Sequence, residues 1–265
     1  MLAMRSPLSA LKAAARQLTP PLLARALGRL TTTPEPGDLT EARRRIADDE
    51  YVNWLCVIVG GWLSPGDGNL AALDHAVRRM PAGGAVVEIG SFLGLSTNLL
   101  AYLLLKYDRP HTLYATDPWV FEGTERPLGG YFDASTEAYR RYSKEVFKLN
   151  SSLFSPGRLP FTVEATSDRF FALWAAGADA EDVFGRTARL GGAISFAYVD
   201  GAHTYEAARS DFANVDRHLV PGGYLLLDDT ADGGPFESRR VIGDVTRHGS
   251  YELVFKTPHY FFRKT

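Results

Sequence analysis

The run Ala85-Val86-Val87-Glu88-Ile89-Gly90-Ser91-Phe92-Leu93-Gly94-Leu95-Ser96-Thr97 constrains this chain more than any other stretch. A short apolar segment bounded by glycines predicts a strand, Ala85 to Ile89, covered on both faces as in a parallel sheet. A glycine turn follows, and then a helix starting near Ser96. Gly90 and Gly94 let backbone approach a ligand where a Cβ would collide. The helix start, with Ser91 and Ser96 beside it, turns free N–H groups and a positive dipole end toward the turn, which suits an anionic group. Glu88 ends an apolar strand, where a charge is costly without a partner. The spacing is not Gly-x-Gly-x-x-Gly, so the dinucleotide fingerprint is missing and a nicotinamide enzyme is disfavoured.

Strands then alternate with helices. After a helix to Lys106, strands are predicted at 112–116, 161–165, 194–199 and 224–227, with helices at 135–150, 168–176, 205–219 and 237–248. Pro221-Gly222-Gly223 closes the third of these helices, and a hairpin of 251–256 with 260–263 ends the chain. This order implies an α/β fold with a doubly wound, mostly parallel sheet. Upstream, residues 38–84 read as a helical cover over the ligand side of the sheet, with helices at 41–59 and 69–80 and a turn at 64–68. Trp54 and Trp62 are expected to anchor its core. Residues 1–37 form a basic arm and linker. Arg5, Lys12, Arg16, Arg25 and Arg29 stand without an acid up to residue 33, and Pro34 and Pro36 mark the linker. Such an arm suits a subunit contact or a peripheral membrane contact. The remaining 85–265 is the core domain.

Composition narrows the function. A formal net charge of −2 gives no case for nucleic-acid binding. Cys56 is the only cysteine, which excludes an intrachain disulfide and fits a cytoplasmic location. The apolar stretch 57–62 is too short to span a bilayer and contains Gly60 and Gly61.

In doubly wound sheets ligands bind beyond the carboxyl ends of the strands, near the point where strand order reverses. Glu88, Asp117, Asp200 and the pair Asp228-Asp229 all fall at such ends. Asp117 can accept the hydroxyls of a ribose; capping the next turn is the plainer role. Trp119 and Phe121 either line the site or simply pack. Asp200 and Asp228-Asp229 end consecutive strands, and three carboxylates meeting there repel one another unless a cation lies between them. An all-oxygen set favours Mg²⁺, Mn²⁺ or Ca²⁺. Successive side chains on a strand face opposite ways, so Asp228 and Asp229 can share a cation only if the strand has broken there. His203 follows Asp200 by three residues, in the loop before a helix. An imidazole, with an ordinary pKa of roughly 6.5, suits a general base at neutral pH. His259, at the terminal hairpin turn, is a second candidate for the ligand side. The other histidines fall on helices or peripheral turns.

These residues carry a family resemblance. Glu88-x-Gly90-x-x-x-Gly94 resembles the first motif of the class I S-adenosylmethionine (AdoMet) dependent methyltransferases. Asp200-Gly201-x-His203-x-Tyr205-Glu206, the Pro-Gly-Gly turn and a strand ending in Asp228-Asp229 resemble the metal-dependent O-methyltransferases, above all those acting on sugars of macrolide and aminocoumarin-type natural products. The similarity covers 85–230 and is most specific at 198–229. It implies a Rossmann-like, seven-stranded methyltransferase sheet with a helical N-terminal extension. It places Glu88, Gly90 and Asp117 on AdoMet, with Ser91, Gly94 and Ser96 from the same turn. Ser167 follows the third strand, where this class contacts the adenine; an N-cap role explains Ser167 or Asp168 equally well. The resemblance further implies that Asp200, Asp228 and Asp229 bind Mg²⁺ and that His203 is the base. The expected partner is a small-molecule hydroxyl acceptor, and the chain is expected to be a homo-oligomer. Two rivals stand beside this reading. Catechol-type enzymes share the metal logic but usually carry Asp-Asn where this chain has Asp228-Asp229. A non-catalytic relative binding a membrane or partner through the arm is disfavoured by the intact acids.

Overall fold

The structure, a computed structural model, describes residues 37–64, 68–120 and 135–265. The basic arm, most of the linker after it, part of the turn at 64–68 and Phe121 lie outside the described residues. The chain divides into two units, Met1–Gly37 and Asp38–Thr265. Among the described residues no helix is long and apolar enough to cross a membrane.

The strands are β1 (Ala85–Ile89), β2 (Leu113–Thr116), β3 (Phe161–Val163), β4 (Asp179–Glu181), β5 (Thr187–Arg189), β6 (Ile194–Val199), β7 (Leu219–Leu227), β8 (Tyr251–Lys256) and β9 (Tyr260–Lys264). Seven of them form one sheet in the order β3-β2-β1-β6-β7-β9-β8. The five from β3 to β7 are parallel, and β9 runs antiparallel to both β7 and β8. Strand order reverses between β1 and β6, which is where the glycine turn lies. Register brings the strand ends level: Ile89 pairs with Thr116 and Val199, and Val199 pairs with Leu227. Asp117, Asp200 and Asp228, each the next residue after one of these strands, therefore share one edge.

The helices are α1 (Gly37–Ala47), α2 (Glu50–Ile58), α3 (Gly68–Arg79), α4 (Leu95–Lys106), α5 (Thr136–Phe154), α6 (Ser167–Ala176), α7 (Tyr205–Asp216) and α8 (Val241–His248). Side chains alternate across the sheet. Val86, Phe196, Tyr198 and Leu226 pack with α1 to α4, while Val87, Ala197, Val199 and Leu225 pack with α6 to α8. In α4, Leu99, Leu100, Leu103 and Leu104 are all buried. Burying each such side chain contributes about 1.5–3 kcal/mol.

Several expectations are corrected. The helix predicted over 41–59 is two helices, because Asp49 interrupts it and caps α2, accepting from the N–H groups of Tyr51 and Val52 at 3.0 and 3.1 Å. The helical segment 38–84 forms a layer on one face of the sheet with α4; Asn69, in the first turn of α3, reaches the carboxyl edge. Trp54 and Trp62 do not anchor a core: they are 49% and 84% exposed, and Trp62 stacks on Phe92 with ring centroids 5.1 Å apart. Pro221-Gly222-Gly223 is not a turn between helix and strand. Helix α7 ends at Asp216, and the glycines bulge within β7, whose pairing skips from Ile194–Leu219 to Phe196–Tyr224. The segment predicted as a helix over 237–248 opens with a 3₁₀ turn, Glu237–Arg240. The β4–β5 hairpin has no counterpart in the sequence reading.

Candidate active site

The glycine turn is pinned from beneath. The buried Asp117 carboxylate accepts the N–H groups of Ser91 and Phe92 on Oδ2, at 2.8 and 2.9 Å, and of Trp119 on Oδ1 at 2.6 Å. Burial raises its pKa against the pull of those three bonds. The carboxylate thus fixes backbone; with about four lone-pair positions, it has capacity for one further donor. Gly90 has φ 85° and Gly94 φ 92°, a left-handed region that glycine tolerates best. In the direction a Cβ would project, both glycines face protein. A Cβ at Gly90 would lie 1.9 Å from the Asp200 carbonyl oxygen, and one at Gly94 3.1 Å from the Phe147 ring. Gly94 occupies the N-cap of α4, leaving Ser96 in the first helical turn.

Glu88 is fully buried. Its Oε2 accepts from Ser91 Oγ at 3.2 Å and from the Thr97 hydroxyl, while Oε1 has no hydrogen-bond partner. Burial pushes this carboxyl up to about 7, against the stabilising hydroxyls of Ser96, Thr97 and Ser91. A buried orphan oxygen invites a donor. Ser167 is the first residue of α6, but the N-cap is Thr166, whose Oγ1 accepts from Arg169 N. The Ser167 hydroxyl donates to Asp211, whose pKa burial pushes up to about 7, and Asp168 accepts from Ser210 and Asn214. Neither Ser167 nor Asp168 is therefore the cap.

Beyond β6 and β7 the remaining acids converge. The strand does break where the shared-cation condition requires: β7 ends at Leu227 and Asp229 has φ 52°. Tyr198 donates its hydroxyl to Asp228 Oδ2 and lies 3.2 Å from Asp200 Oδ2, so these two carboxylates meet across one phenol. His203 Nε2 lies 2.8 Å from Asp229 Oδ2, and its ring packs on Phe236 at 4.4 Å. Burial, and next the charges of Asp228 and Asp229, raise the Asp200 carboxyl well above its ordinary range.

Asp229 belongs to two possible ligand groups, one with Asp200 and His203 and one with Asp228 and His259. Hydrogen bonding separates them. Thr230 N donates to His259 Nδ1 at 3.0 Å, so Nε2 carries the proton and faces Asp228 Oδ1 at 3.3 Å. His259 is thus a donor to an acid rather than a lone pair for a cation. The expected acids are brought together, and Asn69, Tyr198 and His259 join them. Of these, the sequence flagged His259 alone, by its place at the hairpin turn. The other histidines stay outside; His75, for example, packs edge-on among Tyr224, Phe255 and Phe261.

Residues 87–230 match the family described as "Methyltransferase domain". That is more than half of the chain, and the chain belongs to this family. Fold and family together make it a class I AdoMet-dependent methyltransferase. Its fold is similar to that of the O-methyltransferase NovP, at 17% identity and a TM-score of 0.53, covering 86% of this chain and 98% of that one. It is also similar to CalS11, a calicheamicin methyltransferase, at 17% identity and a TM-score of 0.52, covering 87% of this chain and 94% of that one. No curated protein matches the chain.

Proposed function

We propose that this protein is an AdoMet-dependent, divalent-metal-dependent O-methyltransferase acting on a hydroxyl of a glycosylated natural product or a related small molecule. The observation that carries the reading is the meeting of Asp200, Asp228 and Asp229 beside His203, one strand away from the glycine turn. Carboxylates in mutual contact suit a hard cation. Asp200 and Asp229 would hold it, with Asp228 joining through Oδ2. The orphan Oε1 of Glu88 suits the cationic amino group of AdoMet, and the remaining acceptor capacity of Asp117 suits a ribose hydroxyl.

When bound, AdoMet supplies the activated methyl group, and a divalent cation lowers the pKa of a hydroxyl it coordinates. The chain supplies the rest. The carboxylates orient the acceptor oxygen, and alignment of this kind is worth up to roughly 7–11 kcal/mol in the best intramolecular cases. His203 takes the hydroxyl proton. With Nε2 directed at Asp229, a neutral ring carries its lone pair on Nδ1, and Asp229 stabilises the imidazolium that results.

The Asp228-Asp229 pair just past β7, where catechol-type enzymes usually carry Asp-Asn, favours a sugar hydroxyl over a catechol. The single cysteine supports the cytoplasm as the compartment, and residues 1–33 are the proposed contact for a second copy or a membrane surface. The test is methyl transfer from labelled AdoMet to a panel of glycosylated and phenolic acceptors, with and without Mg²⁺. Metal-dependent labelling of a glycosylated acceptor is expected. Labelling of phenols alone would move the enzyme to the catechol-type class.

A further inference from the structure

Asn69 stands in the first turn of α3, far in sequence from the acids, and is 1% exposed. Its Nδ2 donates to Asp228 Oδ1 at 2.9 Å. Its Oδ1 accepts from the hydroxyl of Thr257, just past β8, at 2.9 Å. The two bonds orient the amide, since only its NH₂ end can donate to a carboxylate and only its carbonyl end can accept from the hydroxyl. The preceding residue permits the approach. A Cβ at Gly68 would lie 2.2 Å from both the carbonyl oxygen and the Cβ of Thr257, so the start of α3 sits directly on the β8–β9 turn.

Asp228 Oδ1 also accepts Asp229 N at 2.8 Å and faces His259 Nε2 at 3.3 Å. This oxygen is committed to donors of the chain. The other, Oδ2, is the one that meets Asp200 across the Tyr198 hydroxyl.

We propose that Asn69, oriented by Thr257 and admitted by Gly68, is a positioning residue for the cation site: it fixes Asp228 Oδ1 and so presents Oδ2 alongside Asp200 and Asp229. The inference rests on reading these acids as a cation site. It gives the helical N-terminal layer a part in the chemistry.

The test is a Mn²⁺ titration of the full chain followed by electron paramagnetic resonance of the free ion. Wild type is compared with Asn69→Leu, which keeps the branched shape without the polar atoms, and with Thr257→Val, which replaces the orienting hydroxyl by a methyl group. AdoMet affinity in EDTA, measured in parallel, reports the fold. Asn69→Leu should weaken Mn²⁺ binding by about 10–100-fold, the usual effect of losing a partner behind a metal ligand. Thr257→Val should weaken it less, and AdoMet affinity should stay at the wild-type value in both. Wild-type Mn²⁺ affinity in both variants overturns the proposal. If Asn69→Leu also loses AdoMet binding, Thr257→Val decides: weakened Mn²⁺ binding supports the proposal and unchanged binding overturns it. Failure of the wild-type chain to bind Mn²⁺ is a different result and overturns the cation reading itself.

Discussion

At the β1–β2 end of the carboxyl edge two acids are met by donors of the chain, whereas at the β6–β7 end three acids crowd together and donors hold them there. Asp117 spends its carboxylate on three backbone N–H groups, and Glu88 has hydroxyls on one oxygen. That half is nearly complete by itself: Glu88 Oε1 stands without a partner, and Asp117 can accept one further donor. On the other half, Asp200 faces Asp228 across a phenol, and Asp229 faces an imidazole. Neutral donors hold these acids in place without cancelling their charge. One half is preorganised for a ligand that contributes donors; the other requires positive charge. The two sites should therefore fail independently.

The largest expected effect is on the charged half. EDTA should abolish turnover and Mg²⁺ or Mn²⁺ restore it. Asp229→Asn should do the same damage while calorimetry finds AdoMet affinity nearly intact. Next comes His203→Ala, which should cut the rate by roughly 10²–10⁴-fold, the range for a positioned acid–base group. It should also flatten the pH–rate profile; an unchanged rate and profile would return His203 to a structural role. Smaller again is Asp117→Ala, which removes the anchor of Ser91 and Phe92. AdoMet binding should weaken by about 1–3 kcal/mol with Mn²⁺ affinity unaffected, and coupled losses would break the proposed independence.

Glu88 gives a pH-dependent effect on stability. Its folded pKa of about 7 lies above the ordinary 4.5. The folded state therefore holds the proton more tightly, and the stability that comes with it is present below about 4.5 and lost as pH rises to about 7. Thermal melts of the ligand-free protein across this window should show that fall, and Glu88→Gln should flatten part of it. A slope unchanged in Glu88→Gln would show that other groups, such as Asp211, carry it. The smallest effect belongs to the arm. A chain starting at Asp38 should keep AdoMet binding and its methyl-transfer rate; loss of AdoMet binding would put the arm in the active site.

Much of this was legible in the sequence wherever one local signal decided the structure. β1 and β6 match their predicted spans, because buried apolar runs between loop residues have one reading. The break at Asp49 was hidden because the apolar pattern continues across it while one carboxylate caps the next helix. The start of β7 was hidden because Leu219 and Val220 extend the apolar pattern of α7. The β4–β5 hairpin is short and mostly exposed, with Asp179, Glu181 and Arg189 along it, so it carries no strand signal. At the site, the acids were legible because each ends a strand. Asn69 was not, because its role depends on partners 159 and 188 residues away. An indole ordinarily marks a core, whereas Trp62 lies on the surface against Phe92.

The central claim is that Asp200, Asp228 and Asp229 hold one divalent cation. Anomalous diffraction from crystals of the protein grown with Mn²⁺ tests it most directly. A single peak is predicted, with oxygens of Asp200, Asp229 and the Oδ2 side of Asp228 at about 2.1 Å, as for a hard octahedral ion. Saturating Mn²⁺ that leaves no peak among these three carboxylates would contradict the account.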